Sequence, residues 1–219
     1  MNLPLLPQAY ATGWLVAAPI GPVNLEIIRR SLTRRLLCGL LVGLGATCVD
    51  ASYLIVFTTG FGHVLTTYPS LSRGLYLLGG ALLTWIGIGA LREALRYLQR
   101  GMEEAHRIES AEMTRWARFA ESLPGHFLLG IAMTATNPMT LAFWSSLALN
   151  FAELPMAQRF LASGLVWLGA FSWVLTLMAL LAFARRWVGA RLYALVTSAG
   201  GLCLLYFGLR FLWRGVMGG

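Results

Sequence analysis

The chain has 219 residues, 58% of them hydrophobic and only 12% charged, with a mean hydropathy of +0.68. Most of a small domain is surface, so a soluble core of this size cannot hide that much apolar area; the composition is that of a polytopic membrane protein. The net charge of +8 would suit a nucleic acid, but every basic residue is an arginine and most arginines lie between apolar runs. The expected partner of this charge is the lipid bilayer, with no nucleic acid.

Six apolar runs follow one another: Leu6–Ile28, Leu36–Phe61, Leu71–Leu91, Phe127–Leu149, Ala157–Ala184 and Leu192–Trp213. Each has at least the about 20 residues that a spanning helix needs. The residues before Trp14 carry no charged n-region and no convincing cleavage site, so the first run is expected to be a retained helix, not a signal peptide.

The first run is broken in its middle by Pro19, Gly21 and Pro22. The prolines remove two backbone donors, which deprives the carbonyls of Leu15 and Ala18 of helical partners. Hydrocarbon offers no water to those groups, so such a break survives only against protein or beside a polar cavity. Interrupted helices of this kind recur at the substrate sites of secondary transporters. Asn24 and Glu26 follow directly. Glu26 precedes Arg29 and Arg30 by three and four residues, a spacing that suits ion pairs near the cytoplasmic surface; binding of a substrate amine or coupling to protons is its alternative role.

The second run contains Asp50. At about 1.5 Å per residue it lies about 22 Å from Arg35 along the helix, inside the hydrocarbon slab and past its midpoint. A carboxylate there costs at least about 2.5–3.5 kcal/mol on insertion scales, so such groups pair or line a pathway. No basic residue of the sequence falls at a comparable depth, and Asp50 is the expected proton-coupling residue. Cys38, Cys48 and Cys203 lie in apolar segments without a CxxC pair and resemble packing residues.

The connection from Glu93 to Gly125 is the one sizeable polar segment. Glu103, Glu104, Glu109, Glu112 and Glu121 interleave with arginines as on a solvated cytoplasmic helix joining two halves, and Arg115, Trp116 and Arg118 belong to that surface. Arginines sort sharply: the first, third and fifth connections hold all but Arg73, Arg159, Arg210 and Arg214. The odd connections are therefore expected to be cytoplasmic, with both termini outside.

The fourth run carries a second break, Thr136–Asn137–Pro138, in which Pro138 matches Pro22 and Asn137 takes the place of Gly21. The third and sixth runs match as GGALLTWIG and GGLCLLYFG, with Gly79, Gly80 and Gly87 against Gly200, Gly201 and Gly208. Three crossings reverse the chain, so a repeated three-helix unit enters from opposite sides. The expected fold is an all-α polytopic membrane protein with six transmembrane helices as an inverted 3+3 repeat, helices 1 and 4 being discontinuous. It forms a single domain over 1–219, with repeats at 6–92 and 126–214 and the loop 93–125 between them.

Each break restarts a helix, since proline suits the first helical position with glycine or asparagine before it as cap. The N–H groups of Val23, Asn24, Met139 and Thr140 then point into the membrane interior and, with the helix dipoles, suit a carboxylate. Thr134, Thr136, Asn137 and Thr140 add side-chain donors. His63, His106 and His126 fall in or beside loops without metal-ligand spacing. Trp14, Trp85, Trp144, Trp187 and Trp213 lie mostly near helix ends, as interfacial anchors do, whereas Trp167 and Trp173 are deeper.

PIGPVN in the first helix, GLGATCVDASY with its acidic residue in the second, TNP in the fourth and the glycines of the third and sixth together resemble the lysine exporter (LysE/RhtB) family over nearly the whole chain. The resemblance implies export of an amino acid or close analogue across the bacterial inner membrane in exchange for protons, with no cofactor and no catalysis. It places the site at Pro19, Gly21, Pro22, Asn24, Asp50, Asn137 and Pro138. Two other classes compete. A divalent-cation transporter needs several converging Asp, Glu, His or Cys ligands, and only Asp50 with Cys48 is at hand; a membrane thiol–disulfide protein needs a paired redox cysteine. The sequence leaves the oligomeric state open, a homodimer among the arrangements it permits.

Overall fold

A computed structural model describes residues 5–19, 21–61, 69–100, 119, 121–147, 151, 154–184, 186 and 190–217. Its principal elements are all helical: α1 (Leu5–Ala17), α2 (Pro22–Thr33), α3 (Leu36–Val56), α4 (Pro69–Arg100), α5 (Leu123–Ala135), α6 (Pro138–Leu147), α7 (Met156–Ala184) and α8 (Ala190–Met217). A π-helical turn, Phe57–Phe61, continues α3.

Local chemistry sets several of these ends. Gly21 caps α2 in an extended conformation and Pro22 opens it, where a missing N–H costs nothing. Pro124 falls in the first turn of α5, whose cap Ser122 accepts from the Gly125 N–H at 3.2 Å. The polar connection thus gives way to helix at Leu123, two residues before its expected end at Gly125. Helix α4 runs on to Arg100, past the expected start of the polar connection at Glu93. Residues 101–118 of that connection, with Glu103, Glu104, Glu109, Glu112, His106, Arg115, Trp116 and Arg118, and also His63 and Trp187, lie outside the described residues.

Among the described residues four helices are long and apolar enough to cross a membrane, and the pair α1–α2, bent by 73° at its break, makes a fifth candidate. Helix α5 is apolar but shorter. In lipid, apolar surface alone drives no helix together, and close packing over small residues takes over. That is how the described helices meet. A Cβ at Gly80 would lie 2.7 Å from the backbone nitrogen of Leu212, and one at Gly87 2.8 Å from that of Leu205, so α4 and α8 touch backbone to backbone. Gly13 sits against the Val166 carbonyl and Gly169 against that of Tyr10, which joins α1 to α7; Gly130 sits against the Val42 carbonyl and Gly45 against that of Phe127, which joins α5 to α3.

Between these contacts lie three apolar clusters, built around Leu54 with Trp144 and Val166, around Ile27 with Val42 and Val174, and around Met133 with Leu83 and Leu204. Leu78, Trp85, Leu195, Leu202 and Trp213 instead leave more than half of their surface uncovered, which suits a lipid-facing exterior.

One expectation is corrected here. Trp144 is no interfacial anchor: it is fully buried at the centre of the first cluster. His126, beside the polar connection as expected, is buried in the first turn of α5. In both cases a residue near an element's end is covered by packing, which spacing along the chain does not reveal.

Candidate solute site at the two helix breaks

Helix α1 ends at Ala17 and α2 begins at Pro22, so the chain turns where the prolines forbid a continuous ladder. Asn24 repairs the exposed backbone. Its Nδ2 donates to the carbonyl of Ala17 at 2.6 Å and to that of Pro19 at 2.8 Å. The break is thereby clamped, and the Asn24 amide is spent on holding it. The Val23 and Asn24 N–H groups keep their position at the start of α2, because Gly21 has no side chain with which to cap them. A Cβ at Gly21 would meet nothing within 4 Å, so space lies directly beside this helix start.

The second break behaves differently. Asn137 separates α5 from α6, and its Oδ1 accepts from the Met139 N–H at 3.0 Å. That donor is consumed by the cap. The Asn137 amide nitrogen remains to donate.

A cleft of about 100 Å³, partly open to the outside, lies where the breaks meet. Pro19, Gly21, Pro22, Val23 and Asn24 line it from the first break, Thr134, Asn137 and Thr140 from the second, and Asp50 from α3. The structure therefore brings together most of the sequence-derived site. Thr136 and Met139 are outside the lining, and the Met139 side chain is mostly exposed; the Pro138 side chain lies outside what the structure describes. Thr134 is buried, and its hydroxyl has no hydrogen-bond partner among the described residues. A buried hydroxyl left so is available to a ligand or water; those of Thr33, Thr84 and Thr197, away from the cleft, are left likewise.

Asp50 is buried, and one of its oxygens, Oδ1, accepts from the Trp144 indole N–H at 3.0 Å. Trp144 lies one helical turn beyond Thr140 on α6, so it approaches Asp50 from the same face that lines the cleft. That i, i+4 relation to a proposed site threonine is the signal that would have found it in the sequence. Trp173 of α7 forms a further wall. Its ring stands edge-on to Trp14 with centroids 5.2 Å apart, and its indole N–H reaches towards Asn24 Oδ1 at 3.4 Å.

Glu26 is placed elsewhere. It is fully buried, accepts from Arg29 Nη2 at 2.7 Å and from Arg30 Nε at 2.6 Å, and is not part of the cleft lining. Arg29 also bonds Glu93 of α4, and Arg30 bonds His126 Nδ1 of α5. Arginine has only donors, so His126 accepts there with an unprotonated Nδ1. Glu121 lies 3.6 Å from Arg30 and 3.4 Å from Arg34. The spacing that suggested an interfacial pair thus marks one corner of a buried network joining α2, α4 and α5.

Among the described residues no three His, Cys, Asp or Glu side chains cluster as metal ligands. Cys38, Cys48 and Cys203 are free thiols.

The comparisons with known proteins point one way. Over 209 residues the chain is 26% identical to a Bacillus subtilis protein named "Putative amino acid efflux protein YcgF", covering 93% of each. Over 133 residues it is 26% identical to a Pseudomonas aeruginosa protein named "Uncharacterized membrane protein PA4757", covering 61% of this chain and 57% of the other. No solved structure matches it. Residues 14–215, which include both breaks and Asp50, match the LysE type translocator family, and the chain is a membrane protein that belongs to that family.

Proposed function

We propose that the chain is a secondary transporter that exports an amino acid or close analogue from the cytoplasm across the bacterial inner membrane, by proton antiport with alternating access. The observation that carries this reading is a buried carboxylate, Asp50, on the wall of a cleft that also holds two helix breaks. Uncapped N–H groups at the start of α2 suit the substrate carboxylate, and Asp50 suits its amine. The family and the name of the Bacillus subtilis relative support the solute class.

An inverted 3+3 repeat of six crossings belongs to this reading, with α1–α2 and α5–α6 each counted as one broken span. Its support is the order of the glycine contacts. Gly13 meets the backbone of Val166 and Ala170, as Gly130 meets that of Val42 and Ala46. Gly45 faces Phe127 as Gly169 faces Tyr10. The first helix therefore stands to the fifth as the fourth stands to the second, which is the relation an inverted repeat requires.

An exporter working against a gradient needs a group that is charged in one state and neutral in the other. Protonation of Asp50 from the outside permits one conformational exchange, and release to the cytoplasm restores the charge that attracts the amine. Asp50→Asn mimics the neutral form at nearly constant volume. In energised inverted vesicles it is expected to insert normally, to lose uptake driven by a pH gradient and to retain slow downhill exchange. Concentration of substrate at the wild-type rate by Asp50→Asn would make Asp50 structural.

A further inference from the structure

The cleft is unequally furnished, and that bears on which solute it takes. This inference rests on the exporter reading above. Among the described residues that line it, Asp50 alone carries a charged side chain, and one of its oxygens is engaged by Trp144. Asn24 is spent on the break and Asn137 Oδ1 on the Met139 N–H. The polar provision that remains is one carboxylate oxygen for a cation, and for an anion the α2 start, the Asn137 amide nitrogen and the hydroxyls of Thr134 and Thr140. That is one site for an ammonium and one for a carboxylate.

Around them the wall is hydrocarbon and indole: Val16, Ala17, Ile27, Ala46, Val174 and Trp173. A second cation on the solute would meet no second carboxylate there. Glu26 is already held by Arg29 and Arg30 and lies outside the lining. The Trp173 ring could face a cation, but such an attraction is weaker than the desolvation it would have to offset. A second anion would find no arginine among the lining residues. Burying an unpaired charge is penalised far more than burying a methyl or thioether.

We propose that the transported solute is a zwitterion with an uncharged, apolar side chain, of the leucine, valine or methionine kind, and that lysine, arginine and glutamate are excluded by the lining. The apolar wall contributes contact area to the side chain, while the two charged ends are bound as described.

The test uses the purified full chain in proteoliposomes preloaded with one unlabelled amino acid, with uptake of labelled L-leucine, L-lysine and L-glutamate compared in counterflow. L-Leucine is expected to exceed the other two by at least about tenfold, the lower end of what pocket contacts discriminate. Counterflow of lysine or glutamate equal to or faster than that of leucine overturns the proposal and leaves the exporter reading standing. Failure of every amino acid to exchange, with the protein monodisperse and inserted, overturns the exporter reading itself. Val174→Asp places a second carboxylate in the apolar wall and is expected to raise lysine counterflow relative to leucine. A folded Val174→Asp protein with the wild-type ratio would mean that this wall does not touch the side chain, which sinks the assignment; the wild-type comparison decides without this variant where it fails to fold.

Discussion

Trp144 and Asp50 show how one residue's role depends on a partner far along the chain. They are 94 residues apart in sequence, yet the indole N–H donates a hydrogen bond to a carboxylate that otherwise faces the cleft. Trp144→Phe keeps the ring in its buried place and removes only the donor. Leaving a buried acceptor unpaired costs about 1–3 kcal/mol, so the variant is expected to melt lower in detergent and to export more slowly. The neighbouring Phe143 is partly exposed and stands edge-on to Trp144 at 5.9 Å, so Phe143→Leu serves as the control and should leave export near wild type. Equal effects of the two changes would show that ring packing, not the hydrogen bond, is what Trp144 contributes.

At the scale of elements, the charged network at the far end of α2 fastens the half-helix that begins at the break. Glu26 holds two arginines at once, and these reach α4 through Glu93 and α5 through His126. Removing one partner of a buried ion pair costs about 3–5 kcal/mol because it strands the other charge. Glu26→Gln is therefore expected to lower the melting temperature more than Asp50→Asn does, and to leave the ranking of transported amino acids unchanged. A Glu26→Gln protein of wild-type stability with altered substrate ranking would transfer Glu26 from the framework to the site. The glycines follow the same logic of close approach: Gly45 and Gly130 let α3 and α5 meet at backbone carbonyls, which sets the distance between Asp50 and the second break.

For the whole molecule, the proposed six crossings and their orientation rest on where arginine falls. The bias is steep enough to set topology, since cytoplasmic connections retain Lys and Arg. In intact cells a cysteine replacing Glu109 is expected to react only with membrane-permeant reagents, and one replacing Ser70 with impermeant ones as well. The reverse pattern would turn the molecule over and put both termini in the cytoplasm; labelling of the two positions from the same side would remove a crossing and the inverted repeat with it.

The sequence by itself determined the membrane class and both helix breaks, because each follows from local chemistry. Hydropathy sets what can be solvated, and proline forbids a ladder at its own position whatever surrounds it. The same reasoning reached most of the cleft lining, since residues flanking a break must face whatever makes the break tolerable. Only the tertiary structure decided how the polar groups are spent. Asn24 turned out to clamp the Ala17 and Pro19 carbonyls, Asn137 to cap α6, Trp144 to hold Asp50 and Glu26 to anchor a network across three helices. A polar side chain's partner depends on which atoms the packing brings within about 3 Å, and helices that meet over glycines 85 residues apart, as Gly45 and Gly130 do, leave no trace of that distance in local spacing.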